Sequence, residues 1–186
     1  MSRPTPTVYL TVGLPGTGKT TWATQSAQDL GILRLTPDDW MAPLFGVSDV
    51  DGKRDVLEGR LIWVAHEVAA SGSSVVLDFG CWSSEERYAI RAVADHAGAG
   101  FVLRYFEVPE PERRARADRR WRDTPGTTFE MTDADHDRFL ELCRPPLPEE
   151  LAYAPLPPPP AGSDTWLHWA ADRWPTLGNL GAESLG

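Results

Sequence analysis

The sequence predicts an α/β protein of three layers, a parallel sheet covered on both faces by helices. Two observations carry this expectation. Strand and helix patterns alternate from the start of the chain to roughly residue 122. The first strand also runs straight into a glycine-rich loop that opens a helix.

In order, Thr7–Gly13 (TVYLTVG) is a buried strand, and a helix runs from near Gly18 to about Leu30. Ile32–Thr36 is a second short strand, ended by Pro37 and followed by Asp38 and Asp39. From about Asp51 to Ser71, Val56, Leu57, Leu61, Val64, Ala65 and Val68 recur at helical spacing. Ser73–Phe79 is a buried strand that carries Asp78 at its end. Ser83-Ser84-Glu85-Glu86 is a helix-start signal, and the pattern it opens stops at the glycines 98 and 100. Phe101–Val108 is a further strand, and Glu110 to about Arg122 an arginine-rich helix. A loop over 123–128 leads to a helix from Thr132 to Cys143. Beyond Arg144 comes a proline-stiffened run and then a tryptophan-bearing segment. The expected division is a domain over 1–144, with a lid region at about 110–131, and a tail over 145–186 packing on the same domain.

Length and composition set the class. At 186 residues one domain with a sizeable core is expected. Hydrophobic residues at 41% and charged ones at 24% are ordinary for a globular chain, and no window approaches a membrane span. The N-terminus lacks the apolar core and cleavage site of a secretory signal, so the expected compartment is the cytoplasm. Cys81 and Cys143 form no C-x-x-C pair and read as lone thiols. His66, His96, His136 and His168 have no paired ligand spacing, so the metal expected is Mg²⁺ carried with a nucleotide.

The motif G-x-x-x-x-G-K-[ST] occurs once, as Gly13, Leu14, Pro15, Gly16, Thr17, Gly18, Lys19 and Thr20, followed by Thr21. Glycines let consecutive backbone N–H groups converge on an anion. Lys19 supplies charge to the β- and γ-phosphates, Thr20 offers a hydroxyl to Mg²⁺, and the following helix points its N-terminus at the phosphates. The chain has no Asn-Lys-x-Asp string for reading guanine, and it is too short for the lid domain of a ring-forming motor. A small kinase needs less: an acid near the γ-phosphate and arginines to cover the transferring group.

Ligands of open α/β sheets gather at the carboxyl ends of strands. Asp38 stands there as a candidate general base, with a helix N-cap as its structural alternative. Asp78 fits a role near Mg²⁺, through water, or beside the acceptor; the alternative is a strand-end acid paired with an arginine. Arg116 and Arg120 lie four apart on one helix face and can straddle a phosphoryl group, against the alternative of a solvated surface helix.

With these residues in place, TVGLPGTGKTTWA, LTPDDW, VVLDFG and VPEPERRARADRR together resemble the phosphoryl-transfer domain of phage-type polynucleotide kinase. They are also similar to a wider group of small P-loop kinases that includes chloramphenicol phosphotransferase and zeta-toxin-like kinases, proteins often catalogued as AAA-family ATP-binding proteins. The similarity covers residues 7 to 122 in consistent order. It implies a P-loop NTPase fold with a parallel five-stranded sheet of adenylate-kinase type. It also implies Asp38 as catalytic base, Asp78 near the acceptor, and Arg116 and Arg120 as lid arginines on the ATP phosphates. One departure stands out: polynucleotide kinases carry an arginine three residues after the catalytic aspartate, where this chain has Met41.

The net charge of −9 further disfavours a nucleic-acid acceptor. Positive charge is concentrated instead in Lys19 and the run Arg113–Arg122. The expectation is therefore an ATP- and Mg²⁺-dependent phosphotransferase acting on a hydroxyl of a small molecule, with GTP as the alternative nucleotide. The other readings are a kinase of polynucleotide 5′-hydroxyls and a regulatory ATP-binding module. Trp40–Phe45 suits either an apolar wall of the acceptor pocket or packing on the core. Trp166, Trp169 and Trp174 either stack on a planar substrate or clamp the tail, the commoner use.

Overall fold

A computed structural model describes residues 4–125, 128–178 and 180. The expected loop at 123–128 therefore lies partly outside the described residues. Among them the sheet has four parallel strands: β1 (Thr7–Val12), β2 (Leu33–Leu35), β3 (Val75–Leu77) and β4 (Gly100–Tyr105). Their order is β2-β3-β1-β4.

Period-two alternation sorts the strand side chains onto two faces. Val8, Leu10, Val12, Val75 and Leu77 join one core with Leu61, Ile62, Ala65 and Ala69 of α3 (Lys53–Ala70) and Ala89, Ile90, Val93 and Ala94 of α4 (Ser84–His96). On the opposite face Val76 and Tyr9 pack against Ala23 and Ala27 of α1 (Lys19–Leu30). The result is the expected α/β/α sandwich. The N-terminus of α4 is capped as its sequence signal indicated, Ser83 Oγ accepting from the backbone N–H of Glu86.

The strand count is a correction, since the resemblance implied five. The outer edge of β4 has no strand partner among the described residues. After α5 (Glu110–Asp123) and α6 (Asp133–Leu142), half of residues 145–160 are proline, which has no N–H to give to a sheet ladder. The segment instead forms the short α7 (Pro148–Leu151) and an irregular run.

Two anchors fix the C-terminal residues. The buried Arg87 of α4 pairs with Glu150 of α7 through two hydrogen bonds of 2.7 and 2.9 Å, and its remaining donors reach the carbonyls of Cys81 and Arg144. Farther on, α8 (Trp166–Arg173) lies on α4, with Trp166 against Tyr88 and Trp169 edge-on to both Trp166 and Trp174. Trp166 and Trp174 are part of the core, so these rings clamp the tail rather than face a ligand.

Trp40–Phe45 lies in a helix, α2 (Asp38–Phe45), that begins at Asp38 itself. Its apolar residues divide: Met41 is fully buried, while Trp40, Leu44 and Phe45 are exposed. Core packing is thus realised by Met41, while the other three side chains form an exposed apolar surface.

Candidate active site

The carboxyl ends of β1, β2 and β3 bring the phosphate loop, Asp38 and Asp78 to one edge of the sheet. Backbone conformation makes two of the loop's glycines obligatory. Gly13 has φ of 145°, and a Cβ there would sit 2.5 Å from the carbonyl oxygen of Phe106. Gly16 has φ of 87°, and its Cβ would sit 2.3 Å from the carbonyl oxygen of Arg113. The loop is therefore wedged against the end of β4 and the start of α5, and a side chain at either position would push it out of shape.

The cradle suits a polyphosphate. Among the described residues no side chain caps α1, and its first turn holds no acid. The first-turn N–H groups, those of Lys19, Thr20 and Thr21, thus keep the donors and the positive helix end that bind an anion. Lys19 Nζ donates to the Leu14 carbonyl at 2.9 Å, folding its chain back over the loop. Thr17 ties the loop internally through a 2.8 Å bond from its hydroxyl to the same carbonyl. Burial drops the Lys19 ammonium to about 8, while Asp78 and then Asp38 pull in the other direction. Both candidate acids therefore act on the lysine, as does Arg120, which adds to the lowering.

Asp78 is buried and fully engaged. Its Oδ1 accepts from Thr11 Oγ1 at 3.1 Å, and its Oδ2 accepts from Arg34 Nε and a terminal Arg34 nitrogen at 3.1 and 3.0 Å. The arginine-paired alternative is thus realised, leaving a carboxylate that reaches a metal ion only through its remaining lone pairs or a water. Arg34 also reaches Asp39 at 2.9 Å. Asp38 has a different partner, Arg54, at 3.0 Å, and its side chain remains 42% exposed. The N-cap alternative is not realised: Asp38 is the first residue of α2, Pro37 holds the N-cap position with no side-chain cap, and the Asp38 carboxylate accepts from Arg54.

On α5, Arg113, Arg116 and Arg120 fall on one helix face. Arg113 is buried and donates to the Pro15 carbonyl at 3.0 Å, to His136 Nδ1 at 3.1 Å, and to both oxygens of Glu110. This face therefore abuts the phosphate loop, and Arg116 and Arg120 continue it outward. Both are exposed; Arg116 holds Glu112, while Arg120 lies within electrostatic reach of Lys19. Arg114 pairs with Glu110 within α5 and straps that helix to α6 through Asp133 and Asp137.

A family model of an AAA domain matches residues 8–146. The chain belongs to this AAA-domain family. Solved structures share this α/β fold. A chain of the Pnkp1/Rnl/Hen1 RNA repair complex superposes with a TM-score of 0.64 at 17% identity, covering 82% of this chain and 46% of that one, so this chain spans less than half of that relative. Kti12 of Chaetomium thermophilum in complex with ADP-AlF3 gives 0.59 at 17% identity, covering 77% and 82% of the two chains. The APS kinase CysC of Mycobacterium tuberculosis, in complex with AMPPNP and APS, gives 0.52 at 19%, covering 75% and 98%. No curated protein matches the sequence.

In this AAA-domain chain several site residues escaped the sequence reading. Arg34, Arg54 and Arg113 each meet a partner that only the tertiary fold brings near, Asp78, Asp38 and the Pro15 carbonyl, and Glu58 joins them through Arg54 one turn away on α3. Trp82 is another: it follows Cys81, whose φ is 42°, and its indole N–H donates to the Gly13 carbonyl at 3.4 Å. The available signal was weak, a charge within a strand for Arg34 and the first arginine of the run for Arg113. Among the described residues no helix is long and apolar enough to cross a membrane.

Proposed function

We propose that the protein transfers the γ-phosphoryl group of ATP to a hydroxyl of a small molecule, with Asp38 as general base. What supports this reading is that the phosphate loop with Lys19, Asp38 and Asp78 follow the carboxyl ends of three neighbouring parallel strands, β1, β2 and β3. Asp38 takes the acceptor's proton as the new O–P bond forms and the bond from the γ-phosphorus to the β-γ bridging oxygen breaks, leaving ADP. Lys19 neutralises the β- and γ-oxygens, and Arg116 and Arg120 close over the transferring group from α5. Mg²⁺ bound with the nucleotide supplies further charge neutralisation; the Thr20 hydroxyl would hold it, with Asp78 acting through water.

Three features favour a small acceptor over a polynucleotide. Position 41 is a fully buried methionine. The arginines near Asp38, Arg34 and Arg54, are each already paired with two carboxylates. The net charge is −9. The test is a screen of hydroxylated compounds with γ-labelled ATP, run beside a 5′-hydroxyl oligonucleotide across a salt series. Label on a small molecule supports the reading. Salt-sensitive label on the oligonucleotide alone would replace it with a polynucleotide kinase. Nucleotide binding without any labelled product would indicate a regulatory module.

A further inference from the structure

We propose that Arg54 is a positioning residue for Asp38, and that Glu58 controls how much of the Arg54 charge Asp38 experiences. The proposal rests on the reading of Asp38 as the base. Arg54 stands in the first turn of α3 and ties together three parts of the acceptor side. One terminal nitrogen donates to Asp38 Oδ1 at 3.0 Å and to the Ser48 carbonyl at 3.1 Å. Its Nε donates to Glu58 Oε1 at 3.0 Å, and its backbone N–H to Asp49 Oδ1 at 3.1 Å. A guanidinium held from α2, from the loop before α3 and from the next turn of α3 has little rotational freedom. The carboxylate it grips is fixed with it.

One positive charge is thus shared by two carboxylates of unlike environment. Asp38 is part-exposed, whereas the Glu58 side chain is only 14% exposed. The groups facing Glu58 are Arg54 and Asp55 on α3, Glu86 on α4 and Arg173 on α8, with the Cys81 thiol in the turn before α4 also within its reach. Arg173 is itself divided between Asp55 and Glu86. Burial lifts the Glu58 carboxyl to about 7; Arg54 opposes the rise, and Glu86 and Asp55 add to it. When Glu58 is ionised it shares the Arg54 guanidinium with Asp38. When Glu58 is protonated, the guanidinium charge falls on Asp38 alone. The positive charge that Asp38 experiences therefore falls as pH rises through the titration of Glu58.

The coupling is measurable without any acceptor. Carboxyl ¹³C resonances of aspartate and glutamate are followed from pH 5 to 9, with Asp38 assigned by its absence in Asp38→Asn. The expected result is an inflection of the Asp38 resonance at the pH where Glu58 titrates, within about one unit of 7. That inflection disappears in Glu58→Gln and in Arg54→Met, and Arg54→Lys restores part of it. An Asp38 resonance flat through the titration of Glu58, or an inflection that persists in Arg54→Met, overturns the proposal. Should Arg54→Met fail to fold, Glu58→Gln decides alone, because it keeps the shape of the side chain. Transfer surviving in Asp38→Asn would remove the base assignment while leaving this coupling intact, so the two failures are distinguishable.

Discussion

Lys19 should make ATP binding fall away above pH 8. In the free protein its ammonium is buried against the loop and loses its proton at about 8. Phosphate oxygens stabilise the charged form, so binding requires Lys19 protonated. Below pH 8 the affinity is level. Above it, each pH unit leaves about tenfold less of the protonated protein, a cost of about 1.4 kcal/mol per unit. ATP should therefore bind about tenfold more weakly at pH 9 than at pH 7. The same burial acts on stability. The ordinary lysine value of 10.5 applies to the unfolded chain, so between pH 8 and 10.5 the unfolded state binds more protons, and stability rises with pH across that window. Below pH 8 the free protein carries the full cost of a buried ammonium, about 3 kcal/mol. Lys19→Met should accordingly melt at a higher temperature than the wild type at pH 7 while losing ATP affinity and its pH dependence. Fluorescent-nucleotide titrations from pH 7 to 9.5 and thermal melts of both proteins test this. A wild-type affinity that is flat through pH 9, or a Lys19→Met protein that melts lower, would refute the reasoning.

Other substitutions probe the frame around the site. Gly16→Ala places a methyl 2.3 Å from the Arg113 carbonyl at φ of 87°, and should lose nucleotide binding along with about 1–3 kcal/mol of stability in urea titration. Asp78→Asn replaces a charged buried partner of Arg34 with a neutral one while Asp39 remains, and should cost about 1.5–3 kcal/mol; little change in the urea midpoint would contradict the pairing. Gly59 of α3 lies under the tail, where a Cβ would meet Thr176 Oγ1 at 2.4 Å and Trp174 Cβ at 3.0 Å. Gly59→Ala should therefore destabilise, despite alanine's better helix propensity, and a raised melting temperature would count against that packing. Trp174→Ala removes a fully buried ring and should cost about 3–5 kcal/mol, again read in urea.

What the sequence disclosed and what it hid follow from how far each signal reaches along the chain. The phosphate loop, the sheet alternation and the strand-end positions of Asp38 and Asp78 are local patterns, and they appear where the sequence places them. The partners that define the site are distant: Arg34 meets Asp78 across 44 residues, and Arg113 meets the Pro15 carbonyl across 98. A periodicity argument cannot pair such residues. Arg87 shows the difficulty from the other side, an arginine on the apolar face of α4 whose buried partner lies on α7. The four strands of the described residues differ from the five that the resemblance implied, and the prolines of 145–160 lack the N–H groups that a further ladder there would need. The split role of α2 was not legible, because burial of Met41 beside exposure of Trp40 depends on which side of the helix the core lies.

Phosphoryl transfer measured in Asp38→Asn tests the central claim most directly. Wild-type protein and the variant are given γ-labelled ATP and the hydroxylated-compound panel, and labelled product is read by mass. The account predicts a labelled small molecule with the wild type and none with the variant, while the variant's ATP affinity stays near the wild-type value. Equal transfer by the variant would contradict it.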